Sequence, residues 1–263
     1  MRFYRPGARV CSRTGLVLVP AGGERAFRVA LSSYGALNPP VRGPAGSEVG
    51  SWSRHDTCGG RTVYTASTPG CAFDEVLAGF RRRLGAADGL ARDAAAVGLT
   101  VAEFLGAVEQ DWAGLGVMYP GHLPRAWRAG RLMFTVTLPA VGWWVALDAP
   151  QSLAAVRAEL GDRLALSGVT ELDLAVLYGA DRQVTVEIAD WVRCTVLDDR
   201  TRPHGIVYRS RHAGGDVNAY WMRAVDADFP VTAELVTADA GAPIAAADPN
   251  LLATAARYGL TVH

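Results

Sequence analysis

The spacing of hydrophobic and polar positions changes between residues 61 and 84, in the stretch that begins RTVYTASTPGCAFDE. Residues 62–66 alternate as a strand does, and the segment STPG then interrupts the alternation. Thr68 is suited to cap a following helix, with Pro69 at the first helical position, where its missing N–H costs nothing. The pattern therefore predicts a strand, a turn and an amphipathic helix.

Glu75 lies on the side of this predicted helix that is nearly opposite its apolar stripe, given a rotation of about 100° per residue. The stripe consists of Phe73, Val76, Leu77, Phe80 and Leu84. The neighbours of Glu75 on its own face are small: Cys71, Ala72, Ala78 and Gly79. This pattern indicates either that something approaches the carboxylate closely, or that the helix has a second packing surface with an exposed glutamate.

Short strand patterns and helical patterns alternate along the rest of the chain. Strands are predicted at 25–31, 131–139, 143–148, 205–210, 219–225 and 229–236. Helices are predicted at 100–112, 152–160, 183–192 and 249–258, the third of which also fits a strand. Asp248 is the expected cap of the last helix, and Gly259 is expected to end it.

Two segments have no regular pattern. Residues 1–25 are expected to be irregular around a short apolar run, and residues 35–60 to form a long loop rich in Gly, Pro and Ser. Loops of this length in a compact domain are usually functional or mobile. Because neither a repeat nor an interdomain linker is evident, the mixture of elements predicts a single α+β domain.

Composition narrows the function classes. The chain has 263 residues, half of them hydrophobic, and a formal net charge of zero, which argues against general nucleic-acid binding. The chain has no apolar run of about 18 residues, so no membrane helix is predicted. The N-terminus lacks the apolar segment of a signal peptide. We therefore expect a cytoplasmic protein without nucleic-acid or membrane partners. All 26 basic residues are arginine, so Arg, His or backbone N–H groups must hold any anionic ligand.

The cysteine and histidine patterns predict no metal site. Four widely spaced cysteines, Cys11, Cys58, Cys71 and Cys194, favour free thiols in a cytosolic chain. The five histidines show no HExxH spacing, and the chain has neither a Walker loop nor a GxGxxG motif. The common nucleotide-binding folds are therefore not indicated.

Four segments, taken in order, resemble signatures of the RES domain family, which is named for its Arg, Glu and Ser. They are FRVA at 27–30, SRHDTCGGRTVYTASTPGCAFDEVL at 53–77, ADRQVTVEIADWV at 180–192 and HGIVYRSRH at 204–212. Their order and spacing are more specific than any one of them. The sequence departs from similar ones at Thr185-Val186, where a Thr-Gln pair is common, and at Asn218, where a small or sulfur-containing residue is common.

The resemblance implies a fold similar to that of mono-ADP-ribosyltransferases, with a split, bent β core and flanking helices around an NAD⁺ cleft. It divides the chain into an N-terminal extension (1–26), an NAD-binding catalytic domain (27–225) and a C-terminal strand and helix (226–263) that pack on the same domain. Family members destroy NAD⁺ as phosphorylases or ADP-ribosyltransferases. Many act as bacterial toxins that a separately encoded antitoxin neutralises.

Carried over by motif, the functional residues that the resemblance implies are Arg28, Arg54, Tyr64, Glu75 and Ser210. Their chemistry suits NAD⁺ cleavage, because a carboxylate stabilises an oxocarbenium-like ribose. A tyrosine face suits the pyridinium ring, and arginine grips phosphate. A serine hydroxyl suits the carboxamide or a phosphate. The helix start at Thr68 offers N–H groups to an anion, and His212 lies close to Ser210 in sequence.

The expected catalytic residues are Glu75, Arg28 and Ser210, and the expected ligands of NAD⁺ or phosphate are Arg54, Tyr64, Thr68 and His212. NAD⁺ is the expected substrate and inorganic phosphate the expected co-substrate, with no cofactor and no metal. Transfer of ADP-ribose to a macromolecule is the alternative activity. A binding module without turnover is a third class, which the intact residue set argues against. A homodimer is a possible assembly.

Overall fold

A computed structural model describes residues 6–81, 86–113, 121–212, 214–224 and 233–263. Its strands are β1 Arg9–Val10, β2 Val17–Pro20, β3 Arg25–Leu31, β4 Thr62–Ala66, β5 His122–Leu123, β6 Arg131–Thr137, β7 Trp143–Ala146, β8 Gly205–Arg209, β9 Asp216–Trp221, β10 Thr237–Ala238, β11 Ala242–Pro243 and β12 Thr261–Val262. Its α-helices are α1 Pro69–Leu77, α2 Ala86–Ala96, α3 Val101–Ala113, α4 Arg125–Ala129, α5 Pro150–Leu166, α6 Leu174–Tyr178, α7 Arg182–Cys194 and α8 Pro249–Tyr258. The predicted mixture of helices and strands is confirmed.

One large mixed sheet organises the fold. Its strand order is β1-β2-β7-β8-β9-β4-β3-β6-β10, and β11 also pairs with β6. Neighbouring strands are antiparallel except β7 and β8, which run parallel with Val145 opposite Ile206. The helix α7 lies between these two strands in sequence and supplies part of the crossover that parallel strands require. A separate two-stranded sheet joins β5 and β12.

The sheet opens between β3 and β4. Strand β3 pairs with β6 along its whole length, from Arg25 to Leu31, but it meets β4 only at Phe27 opposite Ala66. Beyond that single pair the two strands separate, so backbone groups that would normally bond across the sheet face an open space. A split β core was expected at some point of the sheet, and this opening defines where a ligand has access.

The helix that carries Glu75 forms as its sequence pattern predicts. Thr68 Oγ1 accepts a hydrogen bond from Cys71 N at 3.1 Å, and Pro69 occupies the first turn. Phe73 and Leu77 of the apolar stripe are fully buried in the main core, where each contributes about 1.5–3 kcal/mol. The α-helix ends at Leu77, and a 3-10 turn continues to Phe80.

The last helix is also confirmed. Asp248 Oδ1 accepts from Asn250 N at 2.8 Å and from Leu251 N at 3.0 Å. Gly259 ends α8 in the left-handed region at φ 62°, a conformation that glycine adopts without steric cost. The ambiguous segment at 183–192 is helical, because its apolar residues bury one face of α7. These residues are Val184, Ile188 and Val192.

Several sequence-based expectations were wrong. Residues 17–20 form β2 instead of irregular chain, and their burial shows that the expected N-terminal extension supplies a strand of the main sheet. The strand expected at 219–225 begins earlier, at Asp216, and ends at Trp221. Residues 233–236 are not in a strand, and residues 225–232 lie outside the described ranges, as does Leu84. The division of the chain at residues 26 and 225 stays a prediction.

The described part of the chain has no helix that is both long enough and apolar enough to cross a membrane.

Candidate active site

A cavity of about 320 Å³ lies where the sheet opens. It has the size of the smaller ligand-binding clefts, which span roughly 300–1,000 Å³. Strands β3, β4, β8 and β9, helix α1 and the beginning of α7 contribute to its walls, together with residues 52–54 and 211–212. Five of the residues expected from the sequence line it: Arg28, Arg54, Tyr64, Glu75 and His212.

Glu75 and Ser210 form a hydrogen-bonded pair at this cavity. Ser210 Oγ donates to Glu75 Oε1 at 2.5 Å, and it accepts from His212 N at 3.0 Å. Glu75 is half-buried, whereas Phe73 and Leu77 of the apolar stripe on its helix are fully buried. Glu75 and Ser210, which are 135 residues apart along the chain, are thus brought together by the fold. The carboxylate lies at the edge of an open cleft.

Close packing explains the small size of Cys71, one of the neighbours of Glu75. Gly215, just before β9, lies so close that a Cβ atom there would be 2.9 Å from Cys71 Sγ and 3.0 Å from Ser67 Oγ. Burial, together with Glu75 and Asp74, raises the pKa of Cys71 to about 11, so its thiol stays protonated. The close approach that the small residues indicated is therefore seen at Cys71, and the approaching residue is Gly215.

Arg28 occupies the opening between β3 and β4. Its Nη1 donates to the Tyr64 carbonyl oxygen at 3.0 Å, an acceptor that the separated strands leave free. Burial lowers the pKa of Arg28, and the neighbouring Tyr64 and Asp56 partly offset this effect. Its Nε atom is buried and has no hydrogen-bond partner among the described residues. The guanidinium is thus held at the mouth of the split with hydrogen-bonding capacity to spare.

The hydroxyl group of Tyr64 holds the long loop in place. It donates to Asp56 Oδ1 and accepts from His55 N, both at 3.0 Å. Asp56 is buried and pairs through Oδ2 with Arg42 Nε at 2.5 Å. Because the hydroxyl of Tyr64 is already bonded, its ring is the part that remains for a ligand. Burial raises the pKa of Tyr64 well above its ordinary value.

Three arginines gather at the C-terminal end of α6. Arg54 Nη2 and Arg211 Nη1 both donate to the Tyr178 carbonyl oxygen, at 3.0 and 2.9 Å. Arg182 donates through Nη1 to the Gly179 carbonyl oxygen at 3.1 Å, and through Nε to a carbonyl of the long loop at 3.0 Å. Burial lowers the pKa of Arg54, and the nearby Arg211 and Arg182 lower it further.

The cavity is strongly cationic as a result. Four arginines and one carboxylate line it, in a chain whose formal net charge is zero. Arginine is suited to bidentate contacts with phosphate. The electrostatics of the cleft therefore favour an anionic ligand.

His212 lies between two guanidinium groups. Its Nδ1 contacts Arg81 Nη2, and its Nε2 lies 3.1 Å from Arg211 Nε. Burial and then the adjacent arginines lower the pKa of His212 to about 4, so the imidazole is neutral at neutral pH. A neutral imidazole has one acceptor nitrogen, so it satisfies only one of its two cationic neighbours.

Thr68 is not brought to the cavity. Its Oγ1 caps α1. Gly70, in the first turn of α1, lies beside Asn250, whose Oδ1 would be 3.8 Å from a Cβ atom at Gly70. The beginning of α1 thus lies against α8 and is not part of the cavity wall. The two departures from the family pattern are also buried outside the wall. Val186 packs against Val49 and Trp52.

Arg182, Tyr208 and Arg211 also line the cavity, and sequence reasoning did not select them. Arg182 had a usable signal: it is the first residue of α7, and a cation there opposes the helix dipole. Tyr208 and Arg211 lie in the segment HGIVYRSRH, on either side of Ser210.

No group of three or more potential metal ligands occurs in the described ranges. All four cysteines are free.

Comparison with known proteins identifies no family for this chain. No protein-family model matches the sequence, and no curated protein matches it. Among solved structures, the crystal structure of the M. tuberculosis MbcT-MbcA toxin-antitoxin complex contains a similar chain at 13% identity and a TM-score of 0.36, over 84% of each chain. At that TM-score the likeness carries no argument about fold or activity.

Proposed function

We propose that this protein cleaves the bond between nicotinamide and ribose in NAD⁺. The observation that carries the proposal is the Glu75 carboxylate, fixed by Ser210 at 2.5 Å on the edge of a cleft lined by four arginines. NAD⁺ combines a diphosphate with a cationic pyridinium group, so a cleft that is cationic along its wall and carries one carboxylate matches both ends. Glu75 stabilises the positive charge that develops on the ribose.

The cleavage is proposed to be phosphorolysis. The C–N bond breaks with its electron pair going to the nicotinamide nitrogen, which thereby becomes neutral. A phosphate oxygen then bonds to the ribose carbon, and the products are nicotinamide and ADP-ribose-1″-phosphate. Water would need a general base to form an equivalent nucleophile, whereas phosphate already carries its charge. Four arginines line the cleft, and guanidinium groups are suited to receive that anion.

Product analysis tests both steps. Purified protein is incubated with NAD⁺ in phosphate-free buffer and again with millimolar phosphate, and nicotinamide and the ribosyl product are quantified by mass spectrometry. We expect nicotinamide release to accelerate with phosphate and the product to carry one additional phosphate. Equal rates with plain ADP-ribose would indicate hydrolysis, and absence of nicotinamide release would refute the proposal.

The second candidate activity is ADP-ribosyl transfer to a macromolecule, since it begins with the same bond cleavage. Incubating the protein with NAD⁺ labelled in the adenylate phosphate and with a bacterial lysate separates the two. Label on protein or nucleic acid favours transfer, whereas label in a small phosphorylated ribosyl product favours phosphorolysis.

A toxin role with a separately encoded antitoxin is proposed from the sequence resemblance. Induced expression in a bacterial host is expected to lower cellular NAD⁺ and arrest growth. The variant Glu75→Gln serves as the control for expression burden. Arrest that is equally strong with the variant would contradict a role based on NAD⁺ loss.

A further inference from the structure

Arg54, Arg182 and Arg211 come from three separate parts of the chain, namely the long loop, the start of α7 and the β8–β9 turn. Two of them bond to one carbonyl oxygen, that of Tyr178, and the third bonds to the next carbonyl along the chain. The last carbonyls of a helix have no partner within the helix and carry partial negative charge. The end of α6 therefore holds three cations side by side.

These cations have no carboxylate partner in the described part of the chain. Other arginines near the site do: Arg42 pairs with Asp56, and Arg209 pairs with Asp216 at 3.0 Å. Placing like charges together in a half-buried cleft is unfavourable unless an anion joins them. Carbonyl groups hold the guanidiniums without neutralising them, and Glu75, whose charge acts on Arg54, is the one carboxylate in the described lining of the cavity. The arrangement therefore keeps a net positive charge for a ligand.

The guanidinium groups also have donors to spare. Each has five N–H donors, of which Arg54 directs one atom, Nη2, to a carbonyl. Arg54 is only 9% exposed, and its Nε is buried without a partner among the described residues. A purely structural clasp would use the donors of Arg54, so its unpartnered Nε within the lining of the cavity indicates a polar ligand.

We propose that Arg54, Arg182 and Arg211 bind the diphosphate group of a nucleotide, and that the α6 terminus is the element that positions them. A diphosphate presents more oxygens over a longer span than a monophosphate, which suits three guanidiniums that arrive from three elements. The inference rests on the proposed function for its biological substrate, because the diphosphate of NAD⁺ is the group concerned. The contacts proposed for the three arginines are with phosphate oxygens alone, so they do not depend on cleavage of NAD⁺.

Binding of ADP, measured by calorimetry without any turnover, tests the inference. We expect ADP and ADP-ribose to bind, with AMP and inorganic phosphate at least tenfold weaker and adenosine weaker again. Arg182→Gln and Arg211→Gln should each weaken ADP binding about tenfold to a hundredfold, as expected for the loss of a charged hydrogen bond. Raising the salt concentration should weaken binding to wild type more than to either variant.

Arg209→Gln is the matched control, because Arg209 lies two residues before Arg211, is exposed and pairs with Asp216 outside the cavity wall. It should bind ADP as wild type does. Circular dichroism and thermal melting of each variant establish that the fold is retained. Arg182→Lys and Arg211→Lys keep the charge and should recover part of the affinity.

The outcomes separate this inference from the proposed function. Wild-type ADP affinity in folded Arg182→Gln and Arg211→Gln, or equal binding of ADP and inorganic phosphate, would overturn the diphosphate site, even if NAD⁺ is still cleaved. Loss of ADP binding in both variants, with Arg209→Gln unaffected, would support the site. That support would stand even if the protein released no nicotinamide, in which case the proposed function alone fails.

Discussion

Glu75→Gln removes the charge of one carboxylate and leaves its shape nearly unchanged. The amide oxygen still accepts from Ser210 Oγ, whose contact with Glu75 is 2.5 Å long. A hydrogen bond to a charged group is worth about 1.5–3 kcal/mol, against about 0.5–1.5 kcal/mol for a neutral one, so the folded state loses on the order of 1 kcal/mol. For a chain of this size that corresponds to a fall in Tm of about 2–4 °C.

The expected effect on the reaction is much larger. A preorganised electrostatic partner of the transition state contributes about 2.7–4 kcal/mol, which corresponds to a loss of about 10²–10³ in kcat. Nicotinamide release under saturating NAD⁺ and phosphate measures kcat directly. Thermal melting in the same buffer measures the change in stability.

Asp74→Asn is the matched control, since Asp74 is the preceding residue on the same helix but lies outside the cavity wall. Asp74 is buried, and both of its carboxylate oxygens accept from Arg257 Nη2 at 2.7 Å. Arg257 is half-exposed, so solvent screening limits the pair to about 1–2 kcal/mol. Asp74→Asn should therefore lower Tm at least as much as Glu75→Gln and leave kcat unchanged. If Glu75→Gln stays fully active, or melts well below Asp74→Asn, the role of Glu75 is packing.

Three further predictions follow from the contacts of the site. Tyr64→Phe should cost about 1–3 kcal/mol of stability, because buried Asp56 loses a hydrogen-bond donor. Tyr64→Ala should in addition raise the KM for NAD⁺. Urea unfolding measures the change in stability, and initial rates measure the KM. Gly215→Ala should destabilise the protein by about 1–3 kcal/mol through its clash with Cys71, and Cys71→Ala added to it should restore part of the Tm. The pKa of His212, about 4 in the folded protein and ordinarily 6.5, means that the unfolded chain takes up the proton first, so stability falls as pH drops from 6.5 toward 4. His212→Gln should show a flatter dependence of the unfolding free energy on pH in that window. If urea unfolding at several pH values gives the variant the same pH dependence as wild type, the assignment is contradicted.

Local structure around the site was predictable because short-range spacing encodes it. Thr68 caps α1 and Asp248 caps α8 as their sequence positions indicate, since a cap acts within three residues. Strand β3 and the helix at 183–192 also follow from periodicity. Strand β2 was missed because three consecutive buried apolar residues have no alternation to reveal them.

The candidate site could be predicted only in part. Family resemblance selected Arg28, Arg54, Glu75 and Ser210, and the structure brings these residues to one cleft or its edge. The same reasoning placed Thr68 at the ligand, whereas its hydroxyl caps a helix whose beginning lies against α8. A helix start has the same sequence pattern whichever way it faces, so only the packing of α1 decides what its N–H groups meet.

The sequence by itself determined the residue types and the local elements. These are a neutral chain with arginine as its only basic residue type apart from histidine, a glutamate opposite an apolar stripe, and the capped helices α1 and α8. Tertiary structure decided which of the 26 basic residues matter. Arg182 and Arg211 are more than 100 residues from Arg54 along the chain, and they join it because α6 ends between them. Periodicity and capping act over a few residues, whereas a cluster of like charges forms only where distant segments pack together and leave backbone carbonyls to hold them.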